Sequence, residues 1–254
     1  MKSPQPKSLT FIDLGRQPYR PVWEYQRYLQ RLRIDQQIPD TLLFVEHDPV
    51  YTIGKNGTEN HVIASESFLE SKGIEVVQVD RGGDVTYHGP GQLVGYPIFD
   101  LNQHKKSVSF FMRQMEAVFI EALKIWHIDG RRNDGYTGVW VEDEKMIAMG
   151  VRISRWVTMH GFAMNVNPQL EGFSGIIPCG IFHAGVTSLE KHLGHSVEMA
   201  SVKEIVLNKF QKEFEFTDIE FANADFPGLK KPSGDWAGPQ KKNKKARPKK
   251  ELVR

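Results

Sequence analysis

The sequence predicts an α+β fold: a mixed, largely antiparallel sheet flanked by helices. Two observations carry this. Strand-like segments come in runs with helical segments between the runs, not in the strict alternation that builds a doubly wound parallel sheet. Residues 138–166 (GVWVEDEKMIAMGVRISRWVTMHGFAMNV) also alternate apolar and polar positions, rich in β-branched and aromatic residues, which is the pattern of strands joined by short turns. Turns near 143 and 154 would make this stretch an antiparallel meander, with the helices packed on one side of the sheet. No repeat of 20–50 residues is visible, which sets aside solenoids and propellers.

In chain order, Tyr25, Tyr28, Leu29 and Leu32 recur at i, i+3, i+4 and i+7 and predict an amphipathic helix over 22–33. LLFVE (42–46) and VYTI (50–53) read as short strands around a His-Asp-Pro turn, closed by Gly54. A short helix near 65–72 precedes the strand IEVVQV (74–79); the segment RGGDVTYHGPGQ (81–92) reads as a loop, and LVGYPIF (93–99) as a strand. From Val108, the positions Phe111, Met112, Met115, Val118, Phe119, Ala122, Leu123 and Trp126 keep helical spacing for about five turns. A last helix is expected over 200–213, with Val202, Ile205, Val206, Lys209 and Phe210 marking one face.

The chain has 254 residues, 40% hydrophobic and 25% charged, the balance of an ordinary globular protein. One domain is the simpler expectation for this length. The longest uncharged stretch, 172–189, is broken by glycines, a proline and a histidine, so no membrane-spanning helix is expected. The N-terminus lacks the apolar core of a signal peptide, which places the protein in the cytoplasm. A single cysteine, Cys179, rules out an internal disulfide and a multi-cysteine zinc site. The net charge of +2 is uneven: residues 230–254 carry ten Lys and Arg against two acids, leaving 1–229 with 23 bases against 29 acids. The expectation is a folded domain over 1–229 and a disordered basic tail over 230–254.

Three features could carry chemistry. The loop 81–92 holds Gly82, Gly83, Gly89, Gly91 and Pro90 among the polar Arg81, Asp84, Thr86, Tyr87, His88 and Gln92. Glycines let backbone approach a ligand and expose N–H groups, although such loops are often plain surface turns. The spacing matches neither GxGxxG nor GxxxxGK[ST], so a dinucleotide or P-loop site has no support. Cys179 sits in IIPCGI. A lone cysteine is ordinarily a small buried hydrophobe, but a flanking Pro and Gly can hold the side chain outward at a pocket. Lys145 ends the turn EDEK and leads the apolar strand MIAMGVRI; it is either a solvated hairpin lysine or a cation aimed at the thiol. His183, His88 and His160 are rival partners for that thiol. HLGH (192–195) lacks the Glu and the spacing of a zinc helix and reads as surface.

Taken together, RGGDVTYHGPGQL (81–93), KMIAMGVRISRWVTMHGFAMNV (145–166) and IIPCGI with VTSL (176–181, 186–189) resemble the signature blocks of the lipoyl(octanoyl) transferases of lipoate biosynthesis. LLFVEHDPVYTIG (42–54) resembles the upstream block, so the likeness covers about residues 8–217. It implies a fold like that of the biotin and lipoate protein ligases, and 1–229 as an acyltransferase domain. The implied activity moves an octanoyl or lipoyl group from acyl carrier protein to a lysine of lipoyl domains, those of 2-oxo acid dehydrogenases and the glycine cleavage H protein. The acyl-thioester cysteine of the family falls on Cys179, and the lysine that lowers its pKa falls on Lys145. The substrate-binding stretches fall on Arg81, Gly82, Gly83, Asp84, Val85, Thr86, Tyr87 and His88, on Ala148, Met149 and Gly150, and on Gly161, Phe162 and Ala163. Met146 stands where Ile is usual, a conservative departure, and the basic tail is foreign to the pattern.

Exchange between thioesters is nearly isoenergetic, so this chemistry needs a thiolate and an oxyanion site but no ATP, cofactor or metal. A nearby ammonium favours thiolate over a thiol of reference pKa about 8.5. Two rivals remain: an ATP-dependent lipoate or biotin ligase on the same fold, which would need an adenylate site, and a nucleic-acid-binding module using the tail. Basic residues confined to the tail argue against specific nucleic-acid binding.

Overall fold

The computed structural model describes residues 7–177 and 185–230. Cys179, His183 and all of the expected tail except Lys230 lie outside the described residues. Lys230 itself is tied down: it exchanges two hydrogen bonds of 2.7 Å with the side chain of Gln17, through its backbone N–H and C=O.

The main sheet is laid out in the order β12 (Asp218–Phe221), β1 (Ser8–Gln17), β2 (Asp40–His47), β6 (Gln92–Ile98), β10 (Val157–Asn165), β9 (Glu144–Ser154), β8 (Tyr136–Val141) and β7 (Gly130–Asn133), with the two-residue β11 (Gly185–Val186) beside β9. β1 runs parallel to β2 and β12, and β11 parallel to β9; every other pairing is antiparallel. A smaller sheet sets β3 (Val50–Ile53) between β4 (Glu75–Gln78) and β5 (Val85–His88). The mixed, largely antiparallel α+β architecture is therefore the one expected from sequence.

The helices do not gather on one side as expected. α1 (Tyr19–Ile34) covers one face, packing Val22, Tyr25 and Leu29 on Leu43, Val45, Val94 and Met159. α3 (Val108–Leu123) and α5 (Met199–Glu213) cover the other, on Leu42, Phe44, Phe162 and Met164. The reason is visible in the strands: every residue of β6 and β10 is buried, so both faces are apolar and both need a cover. Successive residues of β2 alternate between the two cores, as a period of two requires.

Segment by segment, the two C-terminal hairpins fall where the alternation put them. The β9–β10 turn places Arg155 and Trp156 at φ +49° and +67°, the two-residue primed geometry that matches strand twist. α2 (Glu66–Lys72) is capped by Ser65, whose hydroxyl accepts from the Phe68 N–H at 3.2 Å, and stops at Gly73 with φ +60°. α1 starts three residues before the apolar spacing does, with Pro21 tolerated in its first turn. Tyr28 points outward, while Gln26, Gln30 and Arg33 face inward. Each finds a partner there: Gln26 Oε1 accepts from His160 N–H, Gln30 Nε2 donates to Val157 O and Arg33 pairs with Asp40. HLGH ends the short α4 (Leu189–Leu193), with Gly194 at φ +74° as its left-handed cap.

Five strands, β1, β5, β7, β11 and β12, were not legible as such. β1 has the alternation of Leu9, Thr10 and Phe11 that could have shown it, but β7 (GRRN) and β12 (DIEF) have no apolar pattern and exist as edge pairings. The segment 81–92 is not all loop, because Val85–His88 pairs with β3 in register Tyr51↔Tyr87.

Candidate functional site

A single cleft of about 860 Å³, its open mouth included, gathers the segments singled out by sequence. It lies on the α1 side of the main sheet, between the hairpin β9–β10 and residues 81–88 of the smaller sheet. Its floor is made of small residues, because β9 and β10 place Ala148 opposite Ala163 and Gly150 opposite Gly161. The absent side chains make room for the loop above. A Cβ on Gly150 would stand 2.7 Å from the Gly82 carbonyl oxygen, and one on Gly54 would stand 2.3 Å from that of Gly83. Gly83 itself sits at φ +88°, where a branched side chain is strained.

Lys145 reaches this cleft by way of a β-bulge. β8 pairs Val139 with Ile147 but Trp140 with Lys145, so Met146 is the extra residue. In an unbroken strand Lys145 would share the face of Ile147, which is buried in the α3–α5 core. The bulge shifts that parity, burying Met146 and turning Lys145 to the cleft, with its ammonium 4.9 Å from the centre of the Trp140 ring. Val186 of β11 pairs with Lys145, and Thr187 N–H donates to the Lys145 carbonyl. The chain thus enters the site at Gly185 directly after residues 178–184.

The loop is anchored by buried polar contacts. The Arg81 guanidinium donates through Nη2 to the Thr52 carbonyl and hydroxyl at 2.6 and 2.9 Å, and Gly82 N–H donates to Val151 O. Asp84 accepts from its neighbour's amide, Val85 N–H, at 2.7 Å and holds His61 Nδ1 at 2.8 Å. Opposite Lys145, the far end of the cleft carries Tyr19, His88, Tyr96 and His160. Tyr19 stacks on His88 with ring centroids 6.1 Å apart.

Burial pushes the His47 imidazole down to about 4 and that of His88 to about 3, so both are neutral at pH 7. The Gln17 carbonyl, an acceptor only, therefore takes the Nδ1 proton of His47, and His47 Nε2 accepts from the Tyr96 hydroxyl at 2.7 Å. His88 Nδ1 pairs with Gln92 Oε1 at 2.9 Å. His160, also lowered by burial against the raising pull of Asp80, bonds Asp80 through Nε2 at 2.8 Å. Burial of Asp80 works to raise its carboxyl. The hydrogen bond from His160 and the charges of His160, Arg152 and Arg27 outweigh that effect and hold it down at about 2.

A pH dependence of stability arises from these imidazoles. Their folded pKa values lie below the unfolded value near 6.5, so the unfolded chain binds more protons as pH falls through that window, and stability falls with it. The expected result is a stability level above pH 7 that drops by a few kcal/mol in all between about pH 6.5 and 4, read as a falling melting temperature. His47→Gln should flatten part of that slope in thermal melts across pH. An equal slope in the variant would rule out His47 as a source.

All the sequence-named positions of the three stretches line the cleft except Tyr87. Its ring turns to the opposite side of β5 and packs edge-on against Tyr51 and Phe173. The Phe162 ring is likewise committed to the other core, against Phe119 and Phe210, leaving its backbone to the cleft. Sequence reasoning missed Tyr19, Trp140, Phe173, Gly185, Val186 and the β6 pair Val94 and Tyr96, which line the cleft from elements scattered along the chain. His88 and His160, weighed as thiol partners, each bond a neighbour through one ring nitrogen, Gln92 and Asp80 respectively, and His160 stands opposite Val151, six residues along β9 from Lys145. No group of three or more metal-ligating side chains occurs among the described residues.

The fold is shared with solved lipoate ligases. A lipoate-protein ligase A bound with ATP superposes with a TM-score of 0.67 at 15% identity, over 87% of this chain and 90% of that one. The bipartite lipoate protein ligase of Thermoplasma acidophilum gives 0.63 at 16%, over 86% of each. Identities this low speak for the fold alone. Sequence carries the rest: the chain is 49% identical over 198 residues to an octanoyltransferase of Caldicellulosiruptor saccharolyticus, covering 77% of this chain and 84% of the relative. It is 43% identical over 230 residues to one of Flavobacterium psychrophilum, covering 84% and 99%. With residues 18–211 matching the lipoyl protein ligase A/B catalytic domain, the chain belongs to that family and, within it, to the octanoyltransferases.

Proposed function

We propose that this protein takes an octanoyl group from acyl carrier protein as a thioester on Cys179 and passes it to a lysine of a lipoyl domain. The observation that carries this is the convergence of Lys145, the 81–88 segment and the small-residue rows of β9 and β10 on one cleft, which the chain enters at Gly185, six residues after Cys179. An apolar trough with a lysine at one end suits a fatty acyl chain whose reacting carbon must be handled by charge. The T. acidophilum ligase was solved in a study of that enzyme and its E2 lipoyl domain, which supports the same class of acceptor here.

In the first half-reaction the Cys179 thiolate, held beside the Lys145 ammonium, attacks the acyl carbon. The carrier's thiolate leaves and takes the proton of Lys145. In the second, the neutral Lys145 takes a proton from the incoming lysine amine as that amine attacks the thioester, and the Cys179 thiolate leaves into the field of the restored ammonium. Backbone N–H groups of the glycine-rich loop are the candidate oxyanion donors. No ATP enters either step. Among the described residues no helix is long and apolar enough to cross a membrane; we place the reaction in the cytoplasm, with residues 1–229 as its catalytic domain.

The test is intact-mass measurement after mixing the purified protein with octanoyl carrier protein, then with lipoyl domain. A hydroxylamine-sensitive octanoyl adduct that forms, and then moves to the lipoyl domain without ATP, is expected. Transfer that requires ATP and leaves no adduct on the thiol would instead make the protein a ligase.

A further inference from the structure

We propose that Tyr96 is the end wall of the acyl trough and sets the longest chain the enzyme accepts, an inference that rests on the octanoyl-transfer reading. From Lys145 the trough follows the floor laid by β9 and β10. Along it the floor is Ala148 opposite Ala163, with Val94 next to Ala163 on β6, and then Gly150 opposite Gly161. Two residues on along β6 from Val94, Tyr96 stands on the face that Val94 and Ala163 share and lines the cleft together with Gly161 and Gly150. At this row the Gly82 carbonyl closes down on Gly150 from above, so floor, roof and wall meet at one place.

Lengths decide what fits. Seven C–C bonds of about 1.5 Å make an extended octanoyl chain about 9 Å long. With Met146 bulged out of the ladder, Lys145 to Ala148 is two rows, an advance of about 7 Å, and Lys145 to Gly150 is four rows, about 13 Å. A chain whose carbonyl lies at Lys145 therefore ends between the Val94 row and the Tyr96 row. Two or four more methylenes would run into the tyrosine ring.

That ring is held in place. Tyr96 is 3% exposed, its hydroxyl is fixed on His47 Nε2 at 2.7 Å, and His47 in turn is fixed on the Gln17 carbonyl at 3.1 Å. His160 meets the ring edge-on at 6.4 Å. The wall also carries polar atoms of Tyr19, His88 and His160, which resist burial under a hydrocarbon tail. Ala148 and Ala163, by contrast, are small side chains that leave room over about the first 7 Å of the trough among the described residues.

The experiment compares kcat/KM for octanoyl, decanoyl and dodecanoyl carrier protein in the wild type, Tyr96→Val, Tyr96→Phe and Ala163→Val. The ratio between chain lengths is read because it does not depend on how much enzyme is folded. Tyr96→Val should raise the dodecanoyl-to-octanoyl ratio at least tenfold, and Tyr96→Phe, which keeps the ring but loses the bond to His47, should leave it within about threefold; a methylene is worth about 0.8 kcal/mol, or fourfold. Ala163→Val, which narrows the trough, should move the optimum to chains shorter than eight carbons. An unchanged ratio in an active Tyr96→Val overturns the proposal; if that variant does not fold, an unchanged optimum in Ala163→Val does so. If the wild type transfers nothing, the octanoyl-transfer reading falls, and calorimetry with octanoate and dodecanoate decides the wall alone: equal preference in wild type and Tyr96→Val overturns it.

Discussion

Lys145→Arg is expected to form the octanoyl-enzyme within about tenfold of the wild-type rate, yet to pass the group to a lipoyl lysine at least a thousandfold more slowly. The guanidinium stays charged and can hold a thiolate, but it does not give up its proton at neutral pH and so cannot serve as a base. Lys145→Ala should slow both half-reactions, and Cys179→Ala should form no acyl adduct, while His183→Ala should do much less than either. The bulge at Met146 is what makes Lys145 the candidate, since it turns the lysine to the cleft against the parity of β9. Alkylation of Cys179 followed against pH reports the thiolate; single-turnover formation and decay of the adduct separate the two steps. Normal kinetics in both steps for Lys145→Ala, with their loss in His183→Ala, would make the pair Cys-His.

The largest loss of stability is expected at Arg33, at the opposite end of α1 from the cleft-lining Tyr19. Its side chain is 2% exposed and donates through Nε to Asp40 Oδ1 at 2.8 Å and through Nη1 to Gln36, with Asp100 at 3.6 Å from Nη2. His104 Nε2 meets the second oxygen of Asp40 at 2.6 Å. Arg33→Ala would leave two buried carboxylates with one cation fewer between them, and removing one partner of such a group costs about 3–5 kcal/mol. For a domain of this size that is a fall of about 10 °C in melting temperature. Arg20→Ala, which breaks the exposed pair with Glu75, should cost less than about 1 kcal/mol. Urea unfolding of both variants checks the contrast, and equal losses would show that burial does not set the strength of these pairs.

Much of the cleft was legible because its chemistry is local. Glycines 82 and 83, the Ala148–Gly150 and Gly161–Ala163 triplets and Lys145 stand in short segments whose composition is unusual in itself, and all of them line the cleft. Tyr87 was not separable from its neighbours. It shares a motif with Thr86 and His88, and only the pairing of β5 with β3 shows that its ring falls on the other side of the strand. Tyr19 and Tyr96 were illegible for a different reason. Each is one aromatic among many, and what makes it a wall is the element packed across from it, the smaller sheet for the first and β10 for the second.

From the sequence by itself came the α+β class, the long amphipathic helix, the two hairpins and the family, all of which depend on periodicity or on runs of residues close together in the chain. The tertiary structure decided which face each helix covers, since β6 and β10 are apolar on both sides and the pattern of a strand buried twice says nothing about which partner takes which face. It also decided the edge strands β7 and β12, whose polar residues are strands because a neighbour offers hydrogen bonds. The direction of Lys145 was decided in the same way. One extra residue in a ladder reverses a side chain, and that residue is recognised only by counting pairs across two strands.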